Sequence, residues 1–399
     1  MLSQRQLFLQ HVAQTSDAPL MLEIVNASGI ILTDIEGKKY VDLISGISVS
    51  NLGHRHPNVV KAIKEQADHY LHLMVYGEYI QSPQVQLATL LAKHTPGIDS
   101  FYFVNSGTEA IEGCIKLARR YTGRKKIISF KNAYHGSSIG ALSLCSDDGL
   151  TASFQPMLAD VTFLDFNQMN ELEKIDEQTA CVFLEIVQGE AGAINGKQEF
   201  LQALQVRCSN TGALLVADEI QTGYGRTGSL FAFMQHSLQP DIIALAKGMG
   251  GGMPLGAFGA PKHIMQAISH NPALGHITTF GGNPVCCAAG LATLETLLTS
   301  PYIAAVNEKE ALVRRKLIHP SILKVTGKGL LLGVQFQSAE INQRIITQCI
   351  ANGIITDWFL FAPDKMRIAP PLIISLEELE HACDVILQSI NEVLDLKHN

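Results

Sequence analysis

The sequence predicts an α/β protein: a large domain with a mostly parallel sheet flanked by helices, and a small α+β domain assembled from both termini. Three observations lead there. Through the middle of the chain, short apolar runs alternate with helical patterns. Those runs are continuous rather than alternating with polar residues, which suits strands buried on both faces. The two ends have a different character, with hairpin and isolated-strand patterns. A chain of 399 residues is also too long for one small core. The expected division is 1–45 and 299–399 for the small domain and 46–298 for the large one.

Each element has its own warrant. Ile30 to Asp34, the turn Glu36-Gly37-Lys38 and Tyr40 to Asp42 read as a hairpin. Phe101 to Val104 reads as a strand, and Thr108 to Tyr121 as a helix stopped by Gly123. Lys126 to Phe130, Cys181 to Val187, Ala213 to Ala217 and Ile242 to Ala246 give four more strands, with a helix from about Lys197 to Ser209 between the second and third. Beyond residue 303 come a helix, a strand-like Gly329 to Phe336 and a final amphipathic helix from Leu376. No internal repeat is visible.

Composition narrows the function classes. With 47% hydrophobic and 17% charged residues, the chain is ordinary for a globular protein. A formal net charge of -7 gives no reason to expect nucleic acid or an anionic membrane surface as partner. The eight cysteines lack C-x-x-C spacing and lie mostly in apolar runs, so buried free thiols are expected and no metal site. Cys286-Cys287 reads as the start of a small-residue helix. The N-terminal stretch has neither a long apolar core nor a small-residue cleavage pattern, and no run of eighteen apolar residues occurs, so the expectation is a cytoplasmic protein without a membrane span.

In open α/β sheets ligands gather at the carboxyl ends of the strands. Five polar or Gly-rich stretches fall there: Asn105-Ser106-Gly107-Thr108, Asn132 to Gly136, Gln188-Gly189-Glu190, Asp218 to Gln221 and Lys247 to Gly250. The apolar strand ending in Asp218-Glu219 admits a magnesium-holding role, an Asp facing a protonated ring nitrogen, or a simple turn cap. The first needs a G-x-x-x-x-G-K-[ST] phosphate loop, and none is present. Lys247 leaves an apolar strand and enters Gly248-Met249-Gly250-Gly251-Gly252. Partial desolvation would make its amine a nucleophile of the kind that forms Schiff bases. A solvated lysine or a phosphate contact are the alternatives. Ser106, Gly107 and Thr108 at a strand-to-helix junction could cradle a phosphate, or merely cap the helix.

Taken together, these motifs resemble the class-III aminotransferases of the acetylornithine, ornithine and 4-aminobutyrate type, which have the fold-type I pyridoxal-phosphate-dependent transferase fold. The likeness runs from Asp42-Leu43-Ile44-Ser45-Gly46 to Met366-Arg367-Ile368-Ala369-Pro370-Pro371. It is most specific over Leu214 to Gly256, with Asp218-Glu219-Ile220-Gln221, Gly223 to Gly228 and Lys247-Gly248. The resemblance implies pyridoxal 5'-phosphate carried as a Schiff base on Lys247, which also shuttles the proton. It implies Asp218 on the pyridine nitrogen and Gln221, next to Ile220, on the ring hydroxyl. Tyr134 would lie on the ring face with His135 beside it, and Ser106, Gly107 and Thr108 on the phosphate. Thr279 would reach the neighbouring subunit's cofactor, implying a homodimer with shared sites. Arg367 would bind a substrate carboxylate, with Glu190 as its internal partner.

The reaction implied is a ping-pong transfer of an amino group between an ω-amine or ω-amino acid and a 2-oxo acid. An aminomutase or epimerase on the same fold is the alternative. A non-catalytic relative would be expected to have lost Lys247, Asp218, Gln221 or Thr279, and all four are present. Two positions depart from the pattern. Ser137 replaces an arginine that takes a second carboxylate, and Ile47 stands where ornithine-type members have a gating tyrosine. Substrate identity stays open.

Overall fold

The computed structural model describes residues 2–75 and 77–395. Its centre is a seven-stranded sheet whose strands are β1 (Ser100–Val104), β2 (Lys126–Phe130), β3 (Val161–Leu164), β4 (Thr179–Glu185), β5 (Leu214–Asp218), β6 (Ile242–Leu245) and β7 (Gly256–Ala260). They lie in the order β1-β7-β6-β5-β4-β2-β3. All neighbours pair in parallel except β7, which runs antiparallel to both β6 and β1. The fold is therefore α/β with a mixed, mostly parallel sheet. Every residue of β4, β5 and β6 is buried, which is why their sequences are unbroken apolar runs.

The helix Gly107–Thr122 covers one face of this sheet. Ala110, Ile111, Cys114, Ile115, Leu117 and Ala118 are buried at helical spacing. Ser106 caps its start, with Oγ accepting from Glu109 N, and Gly123 ends it in the left-handed conformation at φ 68°. The small-residue helix Pro284–Thr299 packs on Pro57–His69 and on Ser82–His94. All eight cysteines are buried and none is in a disulfide.

Two strands of the central sheet were illegible in the sequence, as were Lys324–Lys328, Ile354–Ile355, Trp358–Phe359 and Ala362–Ile368 outside it. Gly256–Ala260 is Gly-Ala-Phe-Gly-Ala, without the β-branched residues that mark strands, and it becomes one because it fills the gap between β1 and β6. Val161–Leu164 is a four-residue edge strand. The run expected from Cys181 to Val187 stops at Glu185, and Val187–Gln188 instead pairs with Ile194–Asn195.

The chain ends meet. The antiparallel strands Ile24–Ser28, Ile31–Asp34 and Lys39–Asp42 are joined by Ile354–Ile355, which runs parallel to Lys39–Asp42. A second antiparallel sheet contains Lys324–Lys328, Leu331–Gln335, Ala362–Ile368 and Trp358–Phe359, in that order. No helix among the described residues is long and apolar enough to cross a membrane.

Candidate active site

A cleft of about 560 Å³ opens at the carboxyl ends of the parallel strands. Its lining includes Ser106, Gly107 and Thr108 after β1, Tyr134 to Ser137 after β2, Asp218, Ile220 and Gln221 after β5, and Lys247 after β6. Four of the five stretches picked out in the sequence thus converge. The fifth stands behind the wall: Gly189 abuts Gln221 so closely that a Cβ there would lie 1.8 Å from Oε1.

Asp218 is fixed at both oxygens. Oδ1 accepts from Ile220 N at 3.0 Å, and Oδ2 faces Nδ1 of His135 at 2.6 Å. Burial pulls His135 down, but the Asp218 hydrogen bond and charge, with the charge of Glu185, leave it above the usual histidine range. Gln221 Nε2 and His135 Nε2 are buried without a protein partner, an arrangement that costs free energy unless another group meets them. Ile220 packs against Gly107, and Gly136, at φ 136°, brings its backbone against Thr108. Thr108 Oγ1 accepts from Ser138 N at 3.0 Å and lies 2.6 Å from Ser138 Oγ.

Lys247 opens a single tight turn, Lys247–Gly250, with its backbone at φ 46°. A non-glycine residue held there is strained, a condition common at functional sites. Burial pulls its ammonium below the usual lysine range, Glu190 opposes that, and Arg367 adds to it. A lowered ammonium affinity for its proton favours the free amine, the form that attacks a carbonyl.

Glu190 and Arg367 form a two-pronged ion pair, Nη1 to Oε1 and Nη2 to Oε2, each 3.0 Å. A second carboxylate, Asp357, accepts from Arg367 Nε at 2.8 Å. Burial pushes Asp357 up to about 6 although Arg367 pulls it down. Burial works against the charge on Glu190 too, but Arg367 wins and its carboxyl stays below the usual range.

Several cleft residues were not singled out from the sequence. Glu185 lines the wall, accepting from Gly189 N at 3.0 Å and Tyr134 N at 3.2 Å, with burial pushing it up to about 7. Its signal was a charged residue ending an otherwise apolar strand. Val49, two residues after Ile47, lines the cleft, as do Met253, Pro254 and Leu255. Tyr134 and Ser137 face each other through their hydroxyls at 2.9 Å. Thr279 is exposed in the segment before Pro284–Thr299 and is not part of this lining.

These residues suit pyridoxal 5'-phosphate. A helix start offers amides to a phosphate, a pinned carboxylate suits a ring nitrogen, unpartnered Gln221 Nε2 offers a donor, and Lys247 offers an amine.

Comparison with known proteins agrees. The family model for class-III aminotransferases matches residues 12–390. The acetylornithine aminotransferase of Archaeoglobus fulgidus is 36% identical over 380 residues, spanning 95% of this chain and 98% of that protein. That of Bacillus subtilis is 38% identical over 375 residues, 92% of this chain and 95% of its own. An ornithine aminotransferase from Toxoplasma gondii superposes with a TM-score of 0.92 at 29% identity, covering 99% of this chain and 95% of that one. An ω-transaminase from Thermomicrobium roseum gives 0.90 at 28%, covering 98% and 97%. The chain belongs to the class-III aminotransferases and is a pyridoxal-phosphate-dependent transaminase.

Proposed function

We propose that this transaminase takes its amino group from an ω-amine or ω-amino acid of the acetylornithine kind and delivers it to a 2-oxo acid. The observation that carries the reading is the buried Arg367–Glu190 pair, electrostatically coupled to Lys247. A guanidinium covered by an internal carboxylate can be uncovered for a substrate carboxylate in one half-reaction and covered again in the other. The acetylornithine aminotransferases at 36–38% identity support the donor class.

The cofactor, when bound, supplies an electrophilic carbonyl for the amine and a ring that draws electrons from the substrate carbon. Asp218, held by His135 and Ile220 N, would keep a proton on the ring nitrogen. Gln221 would donate to the ring oxygen, and Tyr134 would cover the ring face. The Ser106, Gly107 and Thr108 segment would hold the phosphate. Lys247 Nζ, its ammonium destabilised by burial, would accept the proton from the substrate's amine-bearing carbon and return it. Met253, Pro254 and Leu255 exclude water on one side.

A homodimer and a cytoplasmic setting belong to the same proposal. Leu71, Tyr79, Ile80, Leu274, Ile277 and Phe280 are exposed apolar residues, Ile80 at 95%, and the His72 and Phe280 rings lie 5.0 Å apart. Exposed apolar side chains of this size, with Ile277 and Phe280 close to Thr279 in the chain, suit cover by a second copy of the chain. The eight buried thiols suit a reducing compartment. Residues 1–45 and 299–399 would form the small domain, a division supported by the Ile354–Ile355 pairing with Lys39–Asp42.

The test is the visible spectrum of the purified holoenzyme with ornithine, acetylornithine, 4-aminobutyrate, lysine and alanine in turn. One donor should bleach the Schiff-base band, and a 2-oxo acid should restore it. Bleaching by alanine alone would refute the ω-amine reading.

A further inference from the structure

Arg367 carries two carboxylates, and they hold it in different ways. Glu190 occupies the Nη1/Nη2 edge, the fork that matches a carboxylate. Asp357 occupies only Nε. Arg367 lies in strand Ala362–Ile368, and Asp357 directly precedes the neighbouring strand Trp358–Phe359. Their backbones are bonded, Arg367 N donating to Asp357 O at 2.8 Å. Trp358 O accepts from Nη2 at 3.1 Å, and the guanidinium carbon lies 4.5 Å from the centre of the Phe359 ring. Three contacts to the guanidinium and one to its backbone, all from one strand edge, therefore fix its plane and direction.

Glu190 is attached differently. It follows the two-residue strand Val187–Gln188, and besides Arg367 its carboxylate accepts from Leu360 N at 3.0 Å. Its bonds to Arg367 are the ones a substrate carboxylate could reproduce, because they use the same two nitrogens. The Asp357 bond cannot be reproduced from that side.

We infer that Asp357 is the permanent positioning residue of Arg367, holding Nε and the guanidinium plane while Glu190 gives up the two-nitrogen edge to a substrate carboxylate. The inference rests on the reading of Arg367 given above. It has an energetic consequence. With Glu190 displaced, the incoming acid meets a neutral Arg367–Asp357 pair, not a bare buried cation. Binding then depends on the geometry of the fork more than on net charge, which suits a site that must release its occupant every cycle.

Titration calorimetry of the pyridoxal-phosphate holoenzyme with pyruvate and with 2-oxoglutarate, which react only with the pyridoxamine form, reads this site without turnover. Arg367→Ala is the control: it should weaken the acids at least about tenfold, as loss of a buried charge partner does. An unchanged Kd there, or no binding of either acid to the wild type, would overturn the reading of Arg367 and this inference with it. Given that control, Asp357→Ala should raise Kd about five- to tenfold, the net size of one hydrogen bond. Asp357→Asn keeps an acceptor for Nε and should cost no more than about twofold. The limiting rate of the acceptor half-reaction at saturating acid should stay within about twofold for both variants. Should Asp357→Ala not fold, Asp357→Ser, too short to reach Nε, takes its place under the same criteria. A wild-type Kd for the truncated variant, an Asn variant as impaired as Ala, or a limiting rate that falls in step with affinity would overturn the role of Asp357 while leaving Arg367's intact.

Discussion

Nδ1 of His135 lies 2.6 Å from Oδ2 of Asp218, and both side chains are buried below the cleft. The contact orients the Asp218 carboxylate, and its hydrogen bond and charge raise the affinity of the buried His135 for its proton. Asp218→Asn should therefore lower kcat/KM by about 100- to 1000-fold, the scale of a lost electrostatic contact at a reacting centre. His135→Leu leaves the carboxylate in place but held only by Ile220 N, and should cost about tenfold. Steady-state kinetics on both variants, each saturated with cofactor, checks the ranking.

Lys247→Ala removes the amine and keeps the Cβ at the same backbone position. The visible Schiff-base band should vanish, and turnover should fall by about 10,000-fold, the upper range for a lost proton-transfer group. The spectrum and single-turnover rates are the measurements. Wild-type turnover in this variant would refute the mechanism.

Ser137 faces the cleft with its hydroxyl tied to Tyr134, and no arginine is among the described residues that line the cleft. A dicarboxylate acceptor held at Arg367 thus finds no second guanidinium there. Ser137→Arg should lower KM for 2-oxoglutarate relative to pyruvate by about tenfold, the size of a charge-assisted hydrogen bond. The cofactor spectrum should not change.

Glu219 is fully buried, and burial pushes its carboxyl up to about 7 from 4.5. The folded chain then holds a proton that the unfolded chain has lost, so stability falls as pH rises from about 4.5 to about 7. That one group accounts for up to about 3 kcal/mol of the fall. Glu219→Gln cannot ionise, so the wild type's advantage in Tm over this variant should shrink between pH 5 and pH 8. A constant gap would show that Glu219 does not titrate in this window.

The strand Lys126–Phe130 and the end of the helix at Gly123 were legible in the sequence because each is encoded by neighbours in the chain. An unbroken apolar run records burial on both faces, and a glycine after the last helical turn records a left-handed cap. The polar stretches after those strands were legible too, since parallel strands of one sheet present their carboxyl ends on one edge. The Gly256–Ala260 strand was not. Small residues carry no strand preference of their own, and only the space between β1 and β6 makes them one.

The sequence by itself determined the sheet, the cleft edge and the family, because these rest on local periodicity and on short motifs such as Asp218 to Gln221 and Lys247-Gly248. The family likeness implied that Glu190 pairs with Arg367, and the two meet across 177 residues of chain; only the tertiary structure decided that Arg367 is also held by Asp357. Nothing around Asp357 distinguishes it from a loop aspartate. Its place is set by the register of Trp358–Phe359 on Ala362–Ile368, where backbone pairing brings the carboxylate beside Nε.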